Sequence, residues 1–458
     1  MVNSITTAPV RELLTIQGTK RLKRSLALSL YLIVFSGSIY LLFGTFDEGS
    51  LSGKSGESSL YLGLLFFTYS VLLYQLTVVR IAALGTVLKS TALLMFILSG
   101  SVSLFTAGAA GMSVVRFGLF IVTISAGLLI SLRYSLDEFC ETFFYTSFAI
   151  TIAHFLAYPL LAGRIVYDAL DRETLLGLTS YAGLFPHKSV SATFFSLSLI
   201  ISLARYFGSR AATPRRLSMA LACGSVVALL LSGAVGRLLA LLISALVGLL
   251  FRAFFRKDNV SLLLLVGGLM LGAVAYLVIG NNWIYFFGRN WNLTGRDDLF
   301  ELWPRFFMEK PVFGYGFDGF FTDVAGSAGS ILSDLNGGRG FSTFESVYLD
   351  LLIEFGVVGG FCYACILLIG LWKSIRSYNT GNSKYKFVPL LLILWIIIGS
   401  AMDSGVLHQN SLDCVLVFWI YFGVDRLDKL RLRRSIGRSQ DLRRFESISR
   451  GPIGESIH

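Results

Sequence analysis

Apolar runs about twenty residues long recur from end to end of this chain, and nothing else in the sequence constrains its fold so tightly. A run of that length crosses roughly 30 Å of hydrocarbon as an α-helix. About twelve stretches qualify: 25–44, 59–79, 88–105, 113–132, 142–162, 189–204, 217–235, 238–255, 260–280, 347–371, 387–402 and 411–424. Inside a bilayer every backbone N–H and C=O needs a partner, which leaves helices and closed barrels. The strict alternation of barrel strands is missing, so the expectation is an all-α polytopic membrane protein with its transmembrane domain over 25–424. Composition agrees, with 54% hydrophobic and only 15% charged residues. The first run follows the basic residues Lys20, Arg21, Lys23 and Arg24 but lacks a small-residue cleavage site, so it reads as a retained span. The five cysteines lie in or beside apolar runs, with neither disulfide-framework nor zinc-site spacing.

Charge in the connections sets the orientation. With the N-terminus inside, the inner segments collect about 28 Lys and Arg and the outer ones about nine. The inner set comprises the arm 1–24, "RYFGSRAATPRR", "RAFFRK", "KSIRSYNTGNSKYK" and the basic tail 425–458. Both termini are therefore expected in the cytoplasm, and the net charge of +11 is mostly a property of the inner face. No soluble domain remains to present a basic surface, so nucleic acid is not an expected partner.

On this topology two outer loops are long, 163–188 and 281–346. The larger contains "TGRDDLFELWPRFFMEKPVFGYG", in which Leu299, Leu302, Phe306 and Phe307 share one helical face and Pro304 kinks or restarts the helix. An amphipathic helix over the membrane surface, followed by a glycine-rich turn, describes a lid.

Several arginines fall at the outer face, against the positive-inside tendency: Arg116, Arg164, Arg172, Arg237, Arg289, Arg296, Arg305 and Arg339. A guanidinium near hydrocarbon is costly unless paired, so arginines converging there from separate segments are functional candidates. Their forked donors suit phosphate oxygens, and the anion at an outer bilayer surface is a lipid phosphate or pyrophosphate.

Four motifs, in order over about residues 180 to 370, carry a family likeness: "LFPHKSVSATFFSL", "SGAVGR" before an apolar span, "TGR" leading through Trp303 to "FGYG", and "ESVYLDLLIEFGVVGG". Together they resemble the O-antigen polymerase and ligase superfamily of bacterial inner-membrane glycosyltransferases. The resemblance implies a GT-C-like helical enzyme that uses an undecaprenyl-pyrophosphate-linked oligosaccharide, with no nucleotide sugar, metal or other cofactor. The partners it implies are that lipid-linked glycan, the bilayer, a flippase and a chain-length regulator. Ligases of the superfamily carry a histidine-asparagine pair where this chain has Glu345 and Ser346, which favours the polymerase branch. Wzy-type polymerases are associated with an arginine followed eleven residues later by glycine in each long loop, and the matches here are Arg172 to Gly183 and Arg305 to Gly316.

Polymerisation needs the leaving pyrophosphate stabilised, the acceptor hydroxyl positioned and its proton removed. Arg296 and Arg305 are the expected catalytic cations and Glu345 the expected base. Expected substrate-binding residues are Arg116, Arg172, Arg237, Arg289, His187, Trp303, Gly314 and Gly316. Trp283 and Trp291 are further candidates for stacking on sugars, or belt residues at the interface. His408 is a further base candidate, while Asp350 and Glu354, four apart on one helix, read as partners for neighbouring helices. Two alternatives stay open: a glycan ligase of the same superfamily, and a lipid-linked oligosaccharide flippase or exporter.

Overall fold

A computed structural model of the chain describes residues 23–38, 59–79, 85–107, 110–160, 181–209, 211–256, 296–321, 330, 343–344, 346–380, 383–401, 403 and 411–423. Among them are helices α1 (23–35), α2 (Ser59–Val78), α3 (Thr91–Ser103), α4 (Ala110–Arg133), α5 (Leu136–Leu160) and α6 (Lys188–Gly208). There follow α7 (Ala212–Ser232), α8 (Val235–Arg256), α9 (Arg296–Glu309), α10 (Val347–Thr380), α11 (Val388–Gly399) and α12 (Leu412–Phe422). No strand occurs among the described residues. Among the described residues, six helices are long and apolar enough to cross a membrane: Ser113–Arg133, Leu136–Ala157, Lys188–Gly208, Ala212–Ser232, Val235–Ala253 and Val347–Thr380. Four shorter apolar helices accompany them. The protein is an all-helical, membrane-embedded chain. The expected span 260–280 and the tail 425–458 lie outside the described residues, as does most of the arm 1–24.

Local chemistry explains several boundaries. Ser135 and Glu138 form a reciprocal capping box at the start of α5: the Ser135 N–H donates to Glu138 Oε2 at 3.0 Å, and the Glu138 N–H donates to Ser135 Oγ at 3.2 Å. The α7 helix stops where Gly233 turns left-handed at φ 63°, so α8 begins two residues later. Every residue of α12 is buried, as expected of a short helix apolar on all sides that sits inside a bundle.

Helix ends alternate between two faces. The end that carries α9, here the lid end, gathers the C-termini of α3, α5, α7 and α11 and the N-termini of α4, α6, α8, α10 and α12. At the opposite end the Tyr134 hydroxyl donates to Arg24 O at 3.2 Å, and Arg133 Nη1 donates to Gln75 Oε1 at 2.8 Å. Glu141 on α5 there accepts from Arg205 of α6 at 3.2 Å, Lys384 at 2.5 Å and Tyr385 at 2.7 Å, which clamps the α10–α11 turn to the bundle.

The α10 helix is not one uninterrupted span. Gly356 adopts φ 65°, ψ −169°, a backbone region essentially closed to residues with a Cβ. The peptide groups freed by this break are taken up by the loop after α9. Tyr315 N–H donates to Ile353 O at 2.8 Å and Gly316 N–H to Glu354 O at 3.0 Å, while Val357 N–H donates to Pro311 O at 2.8 Å. Irregular backbone at membrane depth survives where protein satisfies it, and this strap does so.

Candidate functional site at the lid end

The strap positions the first group of polar residues. Phe306, Tyr315, Phe320, Phe344 and Ile353 form a small apolar core of their own beneath α9. Trp303 stacks on Phe307 at 4.8 Å and 10°, and its indole N–H donates to Leu349 O at 3.2 Å. That ring is thus held by the protein on one face and at its nitrogen. The Tyr315 hydroxyl donates to Glu309 Oε2 at 2.6 Å, and burial together with the neighbouring Glu309 carboxylate raises its pKa above the ordinary tyrosine value. Gly314 and Gly316 both have positive φ, 70° and 92°. A side chain on Gly316 would stand 2.8 Å from Ser103 O, so this glycine lets the loop lie against the end of α3.

The loop then delivers Asp318 to Arg116 of α4, and the two form an ion pair with side chains 25% and 34% exposed. Glu354 lies buried beside them and accepts a hydrogen bond from the Asp318 backbone N–H. Asp350, one turn earlier on α10, is also buried, and its Oδ1 accepts from Phe344 N–H at 2.7 Å. One guanidinium and three carboxylates from α4, α10 and the lid therefore meet at the α10 break.

A second polar group surrounds Arg237. Its Nε donates to Asp403 Oδ2 at 2.9 Å and its Nη2 to Asp413 Oδ2 at 2.8 Å. The side chains of Arg237 and Asp413 are 3% and 2% exposed. The guanidinium also lies 5.0 Å from the Trp395 ring, and Thr193 hydrogen-bonds to Asp413. Arg237 Nη1 and Asp413 Oδ1 are buried and find no hydrogen-bond partner among the described residues. The two groups are linked through α11, because Ser400 O accepts from Val347 N–H at 2.9 Å and Ile397 O from the Tyr348 hydroxyl at 2.7 Å.

Of the residues expected from sequence, Arg116, Arg237, Trp303, Gly314 and Gly316 come to the lid end as described. Arg305 is exposed on α9. Arg296 begins that helix, but its side chain lies outside the described residues, as do Glu345, Arg172, Arg289, Trp283, Trp291 and His408. Phe344 and Ser346, which flank Glu345, are both buried. His187 caps α6, its Nδ1 accepting from Ser189 N–H at 3.2 Å, a structural use of the imidazole. Gly183, the other glycine of the paired arginine-glycine pattern, turns at φ 60° directly over the His154 ring. His154 is itself wholly buried among Tyr181, Phe185 and Phe195.

Sequence reasoning passed over Asp318, Asp403, Asp413 and His154. Asp413 carried a readable signal, since it is an acid at the edge of the apolar run "CVLVFWIYF". Asp318 carried none that separates it from other loop acids.

No family model matches the chain. Over 112 residues, 24% of this chain, it is 30% identical to an uncharacterized protein of Haemophilus influenzae. The match spans 27% of that protein.

Proposed function

We propose that the chain is a GT-C-like polysaccharide polymerase of the bacterial inner membrane, with about twelve spans and both termini in the cytoplasm. On this reading it transfers an undecaprenyl-pyrophosphate-linked glycan to the next lipid-linked repeat unit at the periplasmic face, the lid end. The supporting observation is the strap itself: a lid helix seated on a broken membrane helix, with Arg116, Asp318 and Glu354 drawn together where it docks. Lipid-linked pyrophosphate chemistry needs cations, a carboxylate and a cover against water at one membrane surface. Arg305 and Arg296 on α9 then stabilise the leaving pyrophosphate, Trp303 borders the glycan path, the strap glycines seat the loop against α3 and α10, and Glu345 takes the acceptor proton.

The test is incubation of the purified protein, in lipid nanodiscs, with a lipid-linked repeat unit and no nucleotide sugar. A ladder of products supports the polymerase. One product on a foreign acceptor assigns the ligase instead, and no product together with transport of the lipid-linked unit into sealed proteoliposomes assigns the exporter.

A further inference from the structure

We infer that residues 311–313, the loop after α9, are a wedge seated among the lipid acyl chains of the lid-side leaflet.

Below its break at Gly356, α10 runs unbroken over 357–380, about 36 Å at 1.5 Å per residue, against a hydrocarbon layer of roughly 30 Å. The far end of the layer is marked by Lys373, whose ammonium lies 5.0 Å from the Tyr421 ring, and by Arg376, 5.6 Å from the Trp372 ring. Such cation and aromatic groupings sit at bilayer interfaces. Val357 lies about 24 Å along the unbroken helix from Lys373, so Val357 and Val358 fall about one turn inside a layer of roughly 30 Å. Asp350 and Glu354, which precede the break, therefore stand near its edge.

The loop is pinned at that same depth. Val357 N–H donates to Pro311 O at 2.8 Å and Val358 N–H to Val312 O at 3.3 Å. The side chains presented there are apolar and open: Val312 is 52% exposed and Phe313 38%. Their neighbours on α10 are equally open on its lipid-facing side, Val357 at 52% and Phe361 at 70%. Below the loop, an apolar groove of about 440 Å³ between α3 and α10 continues this surface past Met95, Val358 and Cys362. Around the wedge the chemistry turns polar. Glu301, Arg305 and Glu309 are exposed at four-residue spacing along α9. Lys310 reaches back over the Tyr315 ring at 4.6 Å, a basic group at headgroup level.

Val312 and Phe313, continuous with the lipid-facing side of α10 and preceded by the polar Glu309 and Lys310, fit acyl chains.

The test is photo-cross-linking of the full chain in nanodiscs of phosphatidylethanolamine and phosphatidylglycerol. p-Benzoylphenylalanine replaces Phe313, with Phe361 as the lipid-facing reference and Arg305 as the water-facing one, and each variant is first checked for wild-type helicity. The expected result at 313 is a mass increase of one phospholipid, as at 361, with none at 305. Adducts to a second copy of the chain or to a co-purified protein at 313 would overturn the inference. So would the absence of lipid adduct at 313 when 361 labels. A second variant, Val312→Asp with Phe313→Asp, is expected to speed hydrogen exchange across 308–316 while leaving exchange in the second half of α10 unchanged; unchanged exchange across 308–316 would count equally against it.

Discussion

Replacement of Arg237 by methionine is the most direct probe of the lid-end electrostatics. The guanidinium answers two carboxylates, at 2.9 Å and 2.8 Å, and its removal strands both. They are not equally affected. Asp403 is 14% exposed and can turn toward water, whereas Asp413 is 2% exposed and cannot. Removal of one partner from a buried pair costs about 3–5 kcal/mol, most of it the penalty of an uncompensated charge. Loss of the Trp395 contact, 5.0 Å away, adds about 1 kcal/mol. The Arg237→Met protein is therefore expected to lose about 4–6 kcal/mol of stability. Asp413→Asn in that background should restore about 2–3 kcal/mol, and Asp403→Asn only about 1 kcal/mol, as a double-mutant cycle resolves. The measurement is reversible unfolding in mixed detergent–SDS micelles followed by far-ultraviolet circular dichroism. Strict additivity of Arg237→Met and Asp413→Asn, with coupling below about 0.5 kcal/mol, would refute the assignment of Asp413 as the stranded charge.

Gly356→Ala forces a side chain into a glycine-only conformation and against the Val312 backbone, so it should cost about 1–3 kcal/mol and expose 311–316 to hydrogen exchange; native-like protection there would contradict the strap. Tyr315→Phe removes the bond to Glu309 and should weaken lid docking by about 1 kcal/mol at neutral pH. Because the folded-state pKa of Tyr315 is raised, its contribution is whole below about pH 10 and is lost as pH rises through the folded value, so wild type and Tyr315→Phe should converge in strong alkali. On the proposed function, Arg305→Lys keeps the charge but loses the fork and should slow polymerisation roughly tenfold to a hundredfold in the nanodisc assay, with insertion unchanged. On the same reading, Glu345→Gln should abolish most turnover without loss of stability.

The helices were legible because lipid imposes a length and a composition on each of them. The run 113–132 became α4 and 238–255 became α8 with shifts of one to three residues at each end, within the ordinary fraying of helix boundaries. The break in α10 was not legible. "LDLLIEFGVVGG" reads as one apolar run, and a glycine there is also common packing material. Only the loop from 311 to 316, which supplies the missing hydrogen-bond partners, distinguishes a break from a helix, and sequence does not announce that pairing.

The same distance problem limits the arginine argument. Each lid-side arginine was read as a cation available to phosphate, but Arg116 and Asp318 are 202 residues apart in sequence, and Arg237 is separated from its carboxylates by 166 and 176. Hydrocarbon makes an unpaired guanidinium expensive, so those nearest it are the ones the fold supplies with carboxylates. This orders the arginines for the proposed anion. Arg305 is exposed and, on the proposed function, would meet the anion with only the solvated Glu301 and Glu309 as neighbours. At Arg116, a third exposed, a pyrophosphate oxygen would exchange for the Asp318 carboxylate and loosen the lid from α4. At Arg237 it would have to displace a fully buried acid with no water to receive it. Arg237 therefore serves the site by holding α8, α11 and α12 in register, and any coupling between anion binding and lid position runs through Arg116 and Asp318.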